Sequence, residues 1–241
     1  MSGIIETVDL HYRYPDGRPA LTGIHLTIAK GEKAALVGAN GSGKSTMLLN
    51  LIGCLVPQSG EIRAFGHRVD KSFLPEMRRK TGFLFQNPED QLFMPTVRED
   101  VSIAPINKGW ERSRIHNWVE ECMATAGIAH LADRPPWRLS GGEKRLVGMA
   151  GILAMQPELF LMDEPTSDLD PRARRNFITL LQRLDHAMLI ATHDLDMALE
   201  CCTRVIVLDK GHIVGESAMP GLLRDEAFLK EHGLELPLSL H

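Results

Sequence analysis

The sequence predicts an α/β fold built on a phosphate-binding core, with a helical lobe inserted into it. Three observations carry that prediction. First, Gly38-Ala39-Asn40-Gly41-Ser42-Gly43-Lys44-Ser45-Thr46 reads G-x-x-x-x-G-K-S and stands between an apolar run, Lys33 to Val37, and a helical run, Thr46 to Cys54. Strand, glycine-rich turn and helix is the context in which this motif cradles phosphates. Second, further apolar runs end abruptly in polar residues, as buried parallel strands do where they meet a ligand. Third, strand signals stop between residues 87 and 156 and helical patterns take over.

The elements follow in order. Residues 4–14 and 24–28 read as strands; in the second, Ile24, Leu26 and Ile28 alternate with His25 and Thr27. Tyr14-Pro15-Asp16-Gly17 is a turn signal. It leaves Tyr14 at a strand end upstream of the phosphate loop, either to stack on a nucleobase or simply to pack. In the loop, glycines let successive N–H groups point into one concavity, and the helix start adds partial positive charge. Gly38, Asn40, Gly41, Ser42, Gly43, Lys44, Ser45 and Thr46 are therefore the candidate phosphate contacts. Lys44 is placed to reach the β- and γ-phosphates and Ser45 to ligate Mg²⁺. A strand is expected over Glu61 to Phe65, starting at Ser59-Gly60. Another is expected over Thr81 to Gln86, where Gln86 could touch Mg²⁺ or an attacking water.

In the lobe, about 87–156, Thr96-Val97-Arg98-Glu99 is a capping box. Residues 111–126 form an amphipathic helix with Ile115, Trp118, Val119, Cys122, Met123 and Ala126 on one face, stopped by Gly127. Leu139-Ser140-Gly141-Gly142-Glu143 opens a helix running to about Met155. Ser140 and Glu143 have capping-box spacing, and the two glycines leave amides bare, so Ser140, Gly141 and Gly142 make a second candidate anion site. Leu159 to Met162 is a buried strand delivering Asp163 toward Mg²⁺ and Glu164 toward a water at the γ-phosphate. Asp170-Pro171 caps a helix through Leu184. Met188 to Ala191 is a strand, after which His193 is placed either to meet the γ-phosphate or to serve a structural role. Val205 to Asp209 and Ile213 to Glu216 close the sheet. Met219 to His232 reads as one amphipathic helix, with a C-terminal segment of about 217–241 beyond the sheet.

Bulk properties narrow the class. The chain has 241 residues, 44% hydrophobic and 24% charged, with a formal net charge of −4. That gives no global pull toward nucleic acid or an anionic membrane. No apolar run reaches the ~20 residues needed to span a bilayer. Glu6 and Asp9 stand where a leader would be apolar, so no signal peptide is expected. Cys54, Cys122, Cys201 and Cys202 form no C-x-x-C pair, and the scattered histidines show no zinc spacing.

Gly38–Thr46, Gln86, Leu139–Glu143, Leu159–Pro165, Ser167–Asp170 and His193, in that order, resemble the ATP-binding-cassette ATPases over about residues 4–216. Leu-Ser-Gly-Gly is the discriminating piece. The resemblance implies one cassette domain over 1–241, with a mixed/parallel sheet, an antiparallel β subdomain and an inserted helical lobe. It implies ATP and Mg²⁺ as cofactors, with Tyr14 on adenine, Lys44 on phosphate, and Ser45, Gln86 and Asp163 around Mg²⁺. Glu164 would be the general base and His193 the γ-phosphate switch. Ser140 and Gly142 would act on ATP held by a second copy, in a head-to-tail dimer. Glu143 departs from the family's usual Gln. Tyr14–Gly17, Phe85–Phe93 and Ile152–Met155 further resemble the ATPase subunits of energy-coupling-factor importers, especially cobalt and nickel ones. These work at the cytoplasmic face of the membrane under a transmembrane coupling protein and a substrate-binding membrane protein. By that resemblance Glu89 or Asp90 would pair with an arginine on a partner helix, beside Leu92 and Phe93. A soluble cassette ATPase acting on DNA or ribosomes is the competing class, and a vitamin importer the competing substrate class.

Overall fold

In the computed structural model, which describes residues 3–241, the chain forms ten strands and eight α-helices among the described residues. In chain order these are β1 (Ile5–Arg13), β2 (Pro19–Ile28), β3 (Lys33–Val37), α1 (Lys44–Leu51), β4 (Ser59–Ala64), β5 (His67–Arg68), α2 (Leu74–Lys80) and β6 (Thr81–Leu84). There follow α3 (Val97–Asn107), α4 (Arg112–Thr125), α5 (Gly141–Ala154), β7 (Leu159–Asp163), α6 (Pro171–Arg183), β8 (Ala187–Thr192), α7 (Leu195–Cys201), β9 (Arg204–Asp209), β10 (His212–Ala218) and α8 (Glu226–Glu231).

Two sheets organise these elements. The larger has the order β10-β9-β3-β8-β7-β6, in which all neighbours are parallel except the edge pair β9–β10. The smaller, β2-β1-β4-β5, is wholly antiparallel. Successive residues of a strand point to opposite faces, and both faces of the large sheet are covered. Leu159 and Leu161 pack with Leu36, Leu189 and Ile206 toward α1 and the antiparallel sheet. Phe160 and Met162 pack with Val37, Ile190 and Val207 toward α3, α4, α5, α6 and α7. Burial on both faces explains why these strands read as unbroken apolar runs.

The helical stretch is as expected. Thr96 and Ser140 each accept a bond from the backbone N–H three residues on, and Glu99 and Glu143 reach back to the cap residues, so both capping boxes form. The α4 stripe buries Val119, Cys122, Met123 and Ala126, with Ile115 and Trp118 half-buried against the same core. Residues 219–232 differ from expectation. β10 runs on to Ala218, Gly221–Arg224 is a 3-10 turn, and Asp225 caps the separate α8 by accepting from Phe228 N–H. A local Asp cap, which competes with helix propagation, breaks what hydrophobic spacing suggested was continuous. α2 and α7, at seven residues each, are too short to display a helical period and are not expected from the sequence.

Candidate functional site

The carboxyl ends of β3, β6, β7 and β8 converge on one edge of the large sheet, where open α/β folds place their ligands. β3 leads into the loop 38–43, whose backbone demands glycine. Gly41 and Gly43 have φ of 81° and 113°, and a Cβ on Gly38 would stand 2.2 Å from the Leu208 carbonyl. Gly43 caps α1 without any side-chain bond, so the N–H groups of the first turn remain available to a ligand.

Lys44 folds back over this loop. It is buried, and its Nζ donates to the carbonyls of Gly38 at 2.8 Å and Ala39 at 3.3 Å. The same Nζ lies 3.6 Å from Glu164 Oε1. Glu164 sits just past the end of β7 at a φ of 45°, an unfavourable conformation that costs about 1–3 kcal/mol and persists only where surroundings impose it. Here its N–H donates to the Ala191 carbonyl, and its own carbonyl accepts from Ser167 N–H and Oγ. Its Oε2 accepts from Thr192 Oγ1 and from the His193 N–H, each at 3.2 Å, and lies 2.9 Å from His193 Nδ1.

Asp163, one residue earlier, is buried, and its Oδ1 lacks any hydrogen-bond partner among the described residues. Burial pushes its carboxyl above the usual range, and a hydrogen bond from Ser45 opposes the shift. A buried, half-satisfied carboxylate beside a hydroxyl is a donor set that suits Mg²⁺, whose ligands are hard oxygens. The oxygens of Asp163 and Ser45 therefore fit the metal.

Tyr14, Asn40, Gly41, Gly43, Lys44, Ser45, Thr46, Gln86 and Glu164 line one cavity of about 470 Å³, together with Arg18, Pro19 and Ala20. Tyr14 is fixed by a 2.7 Å bond between its hydroxyl and Thr46 Oγ1, and it still lines the cavity. Asp163 and His193 join the site through Ser45 and Glu164. Gly38 and Ser42 form the loop beneath, where Ser42 Oγ is buried and unpartnered. Ser140, Gly141 and Gly142 stand apart and line no part of this cavity. They start α5 against α6, where a Cβ on Gly142 would come within 2.6 Å of Ala173 Cβ.

Two arginines belong to the site region without having been singled out by motif. Arg145 of α5 donates both terminal guanidinium nitrogens to the carbonyls of Phe85 and Gln86. Its signal was its position, on the helix face shared with Gly148, Met149 and Ile152, where a charge is unexpected. Arg174 of α6 binds the carboxylate of Asp194 with Nε at 2.7 Å and Nη2 at 2.8 Å, and Thr166 Oγ1 joins at 3.1 Å. That cluster braces residues 166–170 against the segment carrying His193 and holds the Asp194 carboxyl below its usual range, burial notwithstanding.

A phosphate loop at the end of a central strand, with an acidic pair on a parallel strand nearby, defines a nucleoside-triphosphate-binding α/β protein. Comparison with known proteins sharpens the class. The ABC transporter family model matches residues 21–167, and the chain belongs to that family as an ATP-binding cassette. It is 51% identical to a Gloeobacter violaceus protein named as an ABC transporter ATP-binding protein, over 96% of each chain. It is 43% identical to the energy-coupling factor transporter ATP-binding protein EcfA of Methanothermobacter thermautotrophicus, over 97% of this chain and 77% of the other. Among solved structures, cbiO1 of Clostridium perfringens, part of the ABC transporter complex cbiONQ, superposes with a TM-score of 0.86 at 34% identity, covering 96% and 94% of the chains. The ATP-binding cassette MJ0796, a dimer in a post-hydrolysis state bound to ADP and Pi, gives 0.81 at 29% identity, covering 90% and 99%.

Proposed function

We propose that this chain is the ATP-hydrolysing motor subunit of an energy-coupling-factor importer, acting as a dimer at the cytoplasmic face of the membrane. The observation that supports it most is that Lys44, Ser45, Gln86 and Glu164 line one cavity, with Asp163 and His193 joined to it through Ser45 and Glu164 and Ser140–Gly142 outside its lining. The whole chain constitutes one cassette domain. Cobalt or nickel ions are the cargo, a reading supported by the likeness to a cbiONQ component.

The residues divide the work. The amides of Gly41–Ser45 and the Lys44 ammonium bind the β- and γ-phosphates, and Tyr14 stacks on adenine. Ser45, Asp163 and Gln86 hold Mg²⁺, which supplies neutralisation of phosphate charge. Glu164 orients a water and accepts its proton as the water oxygen bonds to Pγ and the bond to the bridging oxygen breaks, releasing ADP and phosphate. His193 meets the γ-phosphate while holding the Glu164 carboxylate. Ser140 and Gly142 complete the site of the second copy.

Membrane partners dock on an apolar hollow of about 420 Å³ beyond Gln86. Its lining includes Phe83, Phe85, Leu92, Phe93, Ile103 and Ile152, and Phe93 is 72% exposed. Glu89 is already bonded to Lys144, so Asp90, which has no cationic partner among the described residues, is the carboxylate for an incoming arginine.

Shared sites are tested by mixing two inactive variants. Lys44→Ala disables a subunit's own phosphate site, and Ser140→Arg disables its service to the partner. A heterodimer then has one site with both lesions and one with neither, and hydrolysis should return. Absence of rescue, with heterodimers shown to form, refutes the head-to-tail arrangement.

A further inference from the structure

Arg145 is the largest of the fully buried side chains, at 2% exposure. A buried cation is costly unless paired, yet among the described residues no carboxylate bonds to it. Its partners are two neutral carbonyls, those of Phe85 and Gln86, with the Gln86 bond at 2.7 Å, and its Nε has no partner. An apolar side chain here would leave both carbonyls without their donor, so the residue is tied to the backbone it bonds. The carboxylates of Asp168 and Asp163 lie close enough to offset part of the burial penalty on the guanidinium. Arg145 thus stands among four functional pieces: the helix begun by Ser140–Gly142, the backbone of Gln86, the Asp163 carboxylate and the loop carrying Asp168.

The junction is stiff on both sides of Arg145. Lys144 bonds Glu89, and Gln91 Nε2 donates to the Gly148 carbonyl at 3.0 Å. Gly148 also lets the Gln91 side chain lie at van der Waals distance, 3.4 Å from where a Cβ would be. The outer contacts join α5 to the surface of the 87–91 turn. Among the described residues, Arg145 alone bonds the backbone of Gln86 itself. Two bonds from one planar fork fix both the distance and the angle between α5 and that strand exit.

We propose that Arg145 is a positioning residue that ties the Gln86 site of one nucleotide to the Ser140–Gly142 helix serving the other. Displacement of α5 on engaging the second copy moves the Phe85–Gln86 backbone with it, so each site registers whether the other has closed. The inference rests on the proposed ATPase dimer. It goes beyond that reading by naming the link between the two sites and the residue that makes it.

The test compares Arg145→Met, which keeps length and burial, with Arg145→Lys, which keeps charge but lacks the fork. Equilibrium ATP affinity of the isolated subunit should stay within about twofold of wild type in both. Turnover at saturating ATP should fall in Arg145→Met, by up to about 10²-fold, the scale of a misplacement of about 1 Å at a reacting centre. Sigmoidal dependence of rate on ATP should flatten to hyperbolic, and Arg145→Lys should recover part of the rate and little of the sigmoidicity. In a Gln86→Ala background Arg145→Met should cost little more, because both lesions break one link. A purely structural role predicts a lowered melting temperature with kcat and cooperativity retained, and that outcome overturns the proposal. So does full additivity with Gln86→Ala. If wild type itself binds ATP without hydrolysing it, the failure lies with the proposed motor function and is told apart by that control.

Discussion

Replacing Glu164 with Gln isolates the chemistry of one carboxylate in a setting otherwise preserved. The side chain keeps its shape, and its remaining oxygen can still accept from Thr192 Oγ1 and the His193 N–H, both now at 3.2 Å. What is lost is a base and a negative charge. A positioned general base contributes roughly 10²–10⁴-fold, equivalent to about 2.7–5.5 kcal/mol of barrier, and hydrolysis should slow by that factor. Binding should move the other way. Glu164 Oε1 lies 3.6 Å from the Lys44 ammonium that phosphate must recruit. Removing this competitor should leave ATP affinity equal to wild type or raise it severalfold, even though an opposite charge has been deleted from a buried pair. Single-turnover hydrolysis and equilibrium nucleotide binding, measured on the same preparation, give both numbers. ATP-bound dimers should accumulate. Hydrolysis within a few-fold of wild type removes Glu164 from the role of base. A drop in affinity instead shows that the Lys44–Glu164 contact organises the phosphate site and does not compete with it.

Asp163→Asn should raise the melting temperature of the nucleotide-free protein while ending Mg²⁺-dependent turnover. Burial raises the Asp163 pKa in the fold, so the folded chain binds that proton more tightly than the unfolded one. Its contribution to stability is therefore fully present below the unfolded pKa and is lost as pH rises through the folded value. The Asn variant should lack this pH dependence in thermal scans, and an unchanged profile refutes the assignment. Asp90→Ala should weaken capture of the membrane partners and leave nucleotide affinity intact, whereas Glu89→Ala, which breaks the Lys144 bond, should weaken capture less. Loss of a partly desolvated charge pair at such an interface is worth about 2–5 kcal/mol. A pull-down in which Asp90→Ala assembles normally moves the docking surface elsewhere.

The phosphate loop, both capping boxes and the β7 acidic pair were legible because each is a local pattern with one conformational solution. Gly38, Gly41 and Gly43 sit where a Cβ collides or φ is positive, so residue type and backbone shape imply each other. The same holds for Ser140 and Glu143, three residues apart and bonded reciprocally. The break at Asp225 was not legible because a short hydrophobic period cannot distinguish one helix from a turn and a helix laid end to end.

What no local pattern carried is the wiring between segments distant in sequence. Arg145 meets Phe85 and Gln86 across about sixty residues, and Arg174 meets Asp194 across twenty. Each joins two motifs that the sequence displays only separately. A charged residue on the buried face of α5 was the one available sign, since such a position must be supplied with partners from elsewhere in the fold. The partners turn out to be the backbone of Gln86 and, through space, the carboxylates of Asp163 and Asp168. On the proposed two-site dimer, a buried charge whose bonded partners are the carbonyls of Phe85 and Gln86 is explained by coupling as well as by stability. Its cost is accepted because an apolar side chain of the same volume could fill the space but could not hold the angle.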